Sequence, residues 1–142
     1  MATTREDVIP TLERMPLFRG LSQQELEAVA DRLDDATYLA GHGVITEGMA
    51  GPEFFIILDG AASVIIDDQT VATLGPGDFF GEVAALDGGP RTATVRAETQ
   101  LRCVTLPVGG LRQFLLEHPV VAVNLVPEIA RRFRDATAAR KK

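Results

Sequence analysis

The chain has 142 residues and a formal net charge of −6, with 46% apolar and 24% charged residues. This length suits one domain, and the composition is ordinary for a globular chain, which argues against a disordered or fibrous protein. The chain has no apolar run of about 18 residues, so it predicts no membrane span, and its first residues lack the apolar centre of a signal peptide. Cys103 is the only cysteine, which rules out an internal disulfide. Together these features suit a cytoplasmic protein, with Cys103 as a small core residue.

The charge is spread unevenly along the chain. Residues 131–142 hold six basic residues and one aspartate, a net charge of +5, which leaves −11 for residues 1–130. An acidic body disfavours general nucleic-acid binding. The basic end is more typical of a helix C-terminus, where cations complement the helix dipole, than of a contact with an acidic partner.

The N-terminal part, at about residues 5–34, is predicted to be helical. A first helix is expected around Asp7–Arg14, and a short apolar turn follows it. Ser22 and Glu25 have the S-x-x-E spacing of a capping box, which predicts the start of a second helix. Apolar residues then recur at helical spacing, at Leu26, Val29, Ala30 and Leu33.

The central part, at about residues 36–106, is predicted to form strands. Short β-favouring runs are separated by glycines at turn positions. The predicted strands are Tyr38–Leu39, Val44–Ile45, Glu53–Leu58, Ala62–Ile66, Val71–Leu74, Arg91–Arg96 and Arg102–Leu106. Asp67–Gln69 is the predicted tip of a hairpin. Such spacing indicates a β-sandwich or a rolled barrel.

The C-terminal part, at about residues 108–140, is again predicted to be helical. The apolar residues that fit one face of a first helix are Leu111, Phe114 and Leu115, and that helix ends near His118. The apolar residues that fit a second helix are Leu125, Ile129, Phe133 and Ala136.

Pro127 leaves two possibilities for the start of that second helix. Either Asn124 caps it and Pro127 falls in its first turn, or the helix starts at Pro119 and bends near residues 123–127. Both predict a hinge at this place.

The segment Phe80–Val95 brings a glycine, a carboxylate and an arginine onto one short loop between apolar runs. Gly81 permits close backbone approach, and residues 82–86 can form a helical turn whose first amides, those of Glu82 and Ala84, suit an anion. Arg91 can neutralise that anion with paired hydrogen bonds. The ionised Glu82 only accepts, which suits a ribose hydroxyl, and it would also offset the charge of Arg91.

This segment reads F-G-E-x-A, a short spacer and P-R-x-A-T-V, and it resembles the phosphate-binding cassette of cyclic nucleotide-binding domains at every fixed position. Glycines at 41, 48, 60 and 77 and the phrase L-F-x-G-L-S at residues 17–22 extend the resemblance over about residues 15–135. The resemblance implies one α+β domain over residues 1–142. Its core would be an eight-stranded, antiparallel, jelly-roll-like β-roll with flanking N-terminal and C-terminal helices.

The resemblance also implies the ligand contacts. In the family the glutamate binds the 2′-hydroxyl, the arginine binds the phosphate, and backbone amides of the cassette bind the phosphate oxygens. The implied ligand-binding residues are Phe80, Gly81, Glu82, Val83, Ala84, Arg91, Thr92 and Ala93. The cyclic nucleotide, cAMP in preference to cGMP, is a ligand and not a cofactor, and no metal is expected. The residues leave two roles open for Thr92, a contact with the phosphate or a contact with a guanine base.

In the family the C-terminal helix closes over the base when ligand binds. The candidates for contacting the base are therefore Arg132, Phe133, Asp135, Ala136 and Thr137. Ligand would shift the population of the hinge and thereby control an effector protein or a homodimer formed through this helix.

Two alternatives from other functional classes make different demands on the sequence. A DNA-binding regulator of the catabolite activator family would need a helix-turn-helix beyond Lys142, so no direct DNA binding is expected from this chain. An enzyme of the cupin type would need several histidines around a metal, whereas His42 and His118 lie on separate elements, so no catalysis is expected.

A third alternative is a protein-interaction module that has this fold but an empty nucleotide pocket. In that interaction module Arg91 and Glu82 would pair as a structural salt bridge. A partner would bind the apolar stripe of Leu125, Ile129 and Phe133.

Overall fold

The computed structural model describes residues 5–106 and 110–140, and these residues form eight strands flanked by helices at both ends. The helices are α1 (Arg5–Arg14), α2 (Gln23–Asp31), α3 (Glu82–Asp87), α4 (Gly110–Glu117) and α5 (Pro119–Arg140). The strands are β1 (Asp34–Tyr38), β2 (Gly43–Ile45), β3 (Phe54–Asp59), β4 (Ala62–Ile66), β5 (Gln69–Leu74), β6 (Phe79–Phe80), β7 (Thr94–Ala97) and β8 (Leu101–Leu106). A 3-10 turn, Pro16–Phe18, joins α1 to α2. The predicted α+β roll with flanking helices is confirmed.

The strands form two antiparallel four-stranded sheets. The strand order is β1-β8-β3-β6 in one sheet and β2-β7-β4-β5 in the other. Strand β3 is buried on both faces, because Phe54 and Ile56 pack against the helices whereas Phe55 and Ile57 pack inside the roll. Burial on both faces explains why this strand is apolar from Phe54 to Leu58 instead of alternating.

The core therefore has two parts, one between the helices and the first sheet and one inside the roll. Cys103 belongs to the second part, and burial raises the pKa of its thiol to about 12. This agrees with its predicted role as a small core residue. Among the described residues, no helix is long and apolar enough to cross a membrane.

The predicted capping box is confirmed. The Ser22 hydroxyl accepts a hydrogen bond from the Glu25 amide at 3.1 Å, and the Ser22 amide donates to the Glu25 carboxylate at 3.0 Å.

The predicted boundary between α2 and the first strand is wrong. Helix α2 ends at Asp31, before the predicted limit at residue 34, and Leu39 is 61% exposed and lies beyond the end of β1. The strand begins early because Asp34–Tyr38 pairs with β8 along its whole length, and this pairing holds two aspartates in a strand although aspartate disfavours strands locally.

The predicted strand Arg91–Arg96 starts too early. Arg91 does not begin a strand, because its backbone hydrogen-bonds to the loop before β3, with its amide donating to Met49 and its carbonyl accepting from Gly48. Strand β6 was not predicted, because its two residues are too few to show a period in the sequence. The hairpin tip is also shorter than predicted, because Asp67 and Asp68 form the turn at positive φ while Gln69 already pairs with Ile66.

The C-terminal helix starts at Pro119 and continues through Pro127, as in the second of the two possibilities. Asn124 is therefore not a cap: its side-chain amide donates to the carbonyls of Leu17 and Arg19 and ties α5 to the 3-10 turn. The predicted helix start near residue 108 lies outside the described residues.

The predicted apolar face of α5 is wrong at its C-terminal end. Leu125 is buried, but Phe133 is 73% exposed and Ala136 is exposed as well. At 100° per residue, Phe133 lies about 80° around the helix from Leu125 and turns away from the body.

Candidate functional site

The cassette segment, residues 80–95, begins where β6 ends. Gly81 is the N-cap of α3 with φ +84°, and a Cβ there would lie 2.7 Å from the Glu53 carbonyl oxygen and 2.9 Å from Arg91 Nη1. Only glycine tolerates both this conformation and this close approach. The helical turn predicted at residues 82–86 is present as α3.

Arg91 is buried and held by several contacts. Its side chain is 3% exposed, and its Nη1 donates to the carbonyls of Glu53 at 3.0 Å and Gly81 at 3.3 Å. The guanidinium lies 5.9 Å from the centroid of the Phe55 ring, which stacks on Phe80. Backbone carbonyls and an aromatic ring thus fix the orientation of this cation.

The ion-pair partner of Arg91 is Glu53, so the direct Arg91–Glu82 salt bridge of the interaction-module alternative is wrong, whereas the predicted offset of the Arg91 charge by Glu82 is present as a weaker effect. The Glu53 carboxylate lies 3.9 Å from Arg91 Nη2, an ion-pair distance that is longer than a hydrogen bond. Burial lowers the pKa of Arg91, and the charges of Glu53 and then Glu82 oppose that shift. An arginine side chain has so high an ordinary pKa that the guanidinium stays charged at neutral pH despite this lowering.

Glu82 is paired with Arg132 of α5. Arg132 Nη1 lies 3.2 Å from the Glu82 carboxylate, and Arg132 Nη2 donates to the Phe79 carbonyl at 2.6 Å. The same guanidinium lies 4.0 Å from the centroid of the Phe79 ring. The ion pair connects the C-terminal helix to the cassette segment, and the two contacts with Phe79 connect the helix to strand β6 just before that segment.

Comparison with known proteins agrees with this geometry. The family model of the cyclic nucleotide-binding domain matches residues 36–118, which is more than half of the chain. The chain belongs to the cyclic nucleotide-binding domain family.

Two curated relatives are regulators. The chain is 41% identical over 106 residues to a cAMP-dependent protein kinase regulatory subunit of Yarrowia lipolytica, covering 73% of this chain and 28% of the relative. It is 30% identical over 128 residues to a CRP-like cAMP-activated global transcriptional regulator of Mycobacterium tuberculosis, covering 87% of this chain and 57% of the relative. The chain thus spans less than two thirds of either relative.

A solved structure has the same fold. It is described as Sp-2Cl-cAMPS bound to PKAR CBD2, and it matches with a TM-score of 0.84 and 28% identity. The match covers 95% of this chain and 90% of the solved one.

The other predicted residues of this cyclic nucleotide-binding domain differ in burial. Phe80, Ala84 and Ala93 are buried, whereas Val83 and Thr92 are exposed. Of the five candidates for contacting the base, Arg132 is the one with the cassette contacts described above. Phe133, Asp135 and Ala136 are exposed, and Thr137 is half-buried.

Sequence reasoning missed two residues of the site, Glu53 and Phe79. Glu53 is 38 residues from Arg91 in sequence, and it reaches Arg91 because β3 pairs with β6 in the register Phe55 to Phe80. The F-F pair at 79–80 was a usable signal, since one ring packs on each side of the sheet. Nothing local marks Glu53. In the part of the chain that the structure describes, no group of three or more acidic, histidine or cysteine side chains is placed to hold a metal.

Proposed function

We propose that this chain is a regulatory sensor domain that binds a cyclic nucleotide, with cAMP favoured over cGMP. The observation that carries the proposal is Arg91, a buried cation whose Nη1 is held by two carbonyls beside the N-cap glycine of α3. A buried arginine with this support suits a phosphate oxyanion. The names of both curated relatives support cAMP as the ligand.

In this proposal each group of the cassette has one task. Arg91 and the backbone amides of Gly81, Ala84 and Thr92 hold the cyclic phosphate. Glu82, oriented by Arg132, accepts a hydrogen bond from the ribose 2′-hydroxyl. The domain binds its ligand without making or breaking a bond, so it acts as a sensor and not as an enzyme.

The output of the proposed sensor is carried by α5. Because Arg132 connects α5 to Glu82, a ligand that binds Glu82 changes the free energy of the contact that holds the helix. The ligand shifts the population between two positions of the helix only to the extent that the ligand affinity of the protein differs between those positions. An effector protein or a second copy of the chain would read that shift.

Calorimetric titration with cAMP and with cGMP tests the proposal. We expect micromolar or tighter binding of cAMP, weaker binding of cGMP, and a loss of about 100-fold in cAMP affinity for Arg91→Ala, because a buried charge-assisted pair is removed. Arg96→Ala is the matched control, since it removes an exposed arginine from the adjacent strand β7. Thermal unfolding of each variant checks that it is folded.

The second candidate is an interaction module that binds no nucleotide. The stripe predicted for its partner is wrong at Leu125, which is buried, and at Ile129, which packs against the core. The candidate is favoured instead by the exposure of Val123, Val126 and Phe133 on α5 and by the existing contacts of Arg91 with Glu53. The absence of heat and of any thermal shift with both nucleotides at millimolar concentration would overturn the sensor and leave this candidate.

A further inference from the structure

The phosphate subsite of the proposed sensor contains a carboxylate for which the ligand scheme above has no task. Glu53 immediately precedes β3, its own carbonyl accepts from Arg91 Nη1 at 3.0 Å, and its carboxylate lies 3.9 Å from Arg91 Nη2. The side chain of Glu53 is 41% exposed, whereas that of Arg91 is 3% exposed. The carboxylate is therefore in contact with solvent and lies close to the buried cation that the ligand phosphate must reach.

The charges around the cassette nearly cancel before a ligand binds. Glu82 has its own cation, Arg132, at 3.2 Å. Glu53 shares Arg91, the residue that must also neutralise the ligand. A ligand with one negative charge thus competes with the Glu53 carboxylate for Arg91. A second negative charge on the ligand has no further cation to pair with among these four residues.

We propose that Glu53 is a specificity-determining residue that makes the phosphate subsite select a singly charged phosphodiester over a doubly charged phosphomonoester. This inference rests on the proposed function. It assigns to Glu53 the rejection of the hydrolysed ligand, a 5′-nucleotide, whose phosphate carries a second charge above its pKa of about 6. The Coulomb repulsion from Glu53 is proportional to the charge of the ligand, so it penalises the dianion twice as much on a free-energy scale.

The test measures three ligands of increasing charge at pH 8 and constant ionic strength. Adenosine is neutral, cAMP carries one negative charge, and adenosine 5′-monophosphate carries two. Affinities are measured for the wild type, Glu53→Gln and Glu53→Ala by displacement of a fluorescent cAMP analogue. The control is Asp59→Asn, which removes a charge at the far end of β3, about 20 Å from Glu53 along the strand.

We expect Glu53→Gln to leave adenosine affinity unchanged and to strengthen cAMP binding by about fivefold, as for an exposed like charge near the ligand. Binding of the monophosphate should strengthen by the square of that factor, about 25-fold, so discrimination falls by about fivefold. Asp59→Asn should change neither affinity by more than about twofold.

Three results would distinguish a failure of this inference from a failure of the proposed function. An equal change for cAMP and the monophosphate, or weaker binding of both in the two Glu53 variants, would overturn the inference and make Glu53 a positioning residue for Arg91. Wild-type protein that binds no cAMP would overturn the proposed function itself. Measuring Glu53→Ala beside Glu53→Gln keeps the test valid if one of them fails to fold.

Discussion

At the scale of single residues, two arginines with different surroundings organise the cassette. Arg91 is buried and is held by backbone carbonyls, so its position depends on the strands. Arg132 is about one third exposed and comes from a helix outside the roll. The sequence identified Arg91 through its motif, but it left Arg132 as one of five candidates because no spacing rule links residue 132 to residue 82.

Replacing Arg132 by alanine should lower both stability and ligand affinity. The change removes an ion pair, a hydrogen bond to the Phe79 carbonyl and a cation–π contact, and it leaves the buried Glu82 without this cation. We expect a loss of about 1–3 kcal/mol in the free energy of unfolding, measured by urea denaturation, and weaker cAMP binding in the calorimeter.

Arg131→Ala is the control for the change at Arg132. Its neighbour Arg131 is 62% exposed and pairs with Glu128 one turn away on the same helix, so its removal should cost no more than about 0.5 kcal/mol. Equal losses in the two variants would show that the contact with the cassette adds nothing to the stability of the fold.

At the scale of elements, the start of α2 shows a local pattern that the structure reproduces. Ser22 and Glu25 exchange two hydrogen bonds within four residues of chain, so no distant residue is needed. Hydrogen bonds from Ser22, first from its amide and then from its hydroxyl, lower the pKa of Glu25 below its ordinary 4.5. A carboxyl whose pKa is lowered by folding stabilises the fold when it is ionised.

The stabilisation by Glu25 should therefore depend on pH. It is fully present above about pH 4.5 and is lost as the pH falls through the lower pKa of the folded state. Glutamine at this position can keep the hydrogen bond without the charge. We expect Glu25→Gln to unfold at a lower temperature than the wild type at pH 7, with a difference that shrinks progressively as the pH is lowered below 4.5, measured by circular dichroism.

Glu13→Gln, an exposed change in α1, controls for the general loss of an acidic side chain. A difference between wild type and Glu25→Gln that persists unchanged into acid would contradict the role given to the Glu25 charge.

At the scale of the whole molecule, α5 has two apolar faces, and the domain covers one of them. Leu125 packs into the helix-side core, whereas Val123, Val126, Ala130 and Phe133 are exposed. With Thr137 these residues alternate at spacings of three and four, the pattern of a coiled-coil seam. An exposed seam of this kind suits a second copy of the same helix, which brings an identical stripe.

We expect the chain to self-associate through this seam. Sedimentation velocity should show a monomer–dimer equilibrium for the wild type and a monomer for the double variant Val126→Ser with Phe133→Ser. Leu39→Ser is the matched control, because Leu39 is 61% exposed but follows β1, outside the helix. A wild-type chain that stays monomeric up to high concentration, with and without cAMP, would contradict the dimer and favour an effector protein as the partner.

The sequence by itself determined the features that depend on neighbouring residues. The capping box needs four residues, and the helical turn after Gly81 needs a glycine followed by residues that favour helix. Strands β3 and β4 are mainly apolar runs bounded by turn residues. The cassette motif belongs to this group, because its glycine, glutamate and arginine lie within eleven positions of one another.

Tertiary structure alone decided which charges meet. Pairing of β3 with β6 brings Glu53 rather than Glu82 against Arg91, and the path of α5 brings Arg132 to Glu82. The same path exposes Phe133, whose helical spacing had predicted burial. The physical reason is that ion pairs and burial depend on where distant segments pack, whereas caps, turns and strand periods depend on the chain within a few residues.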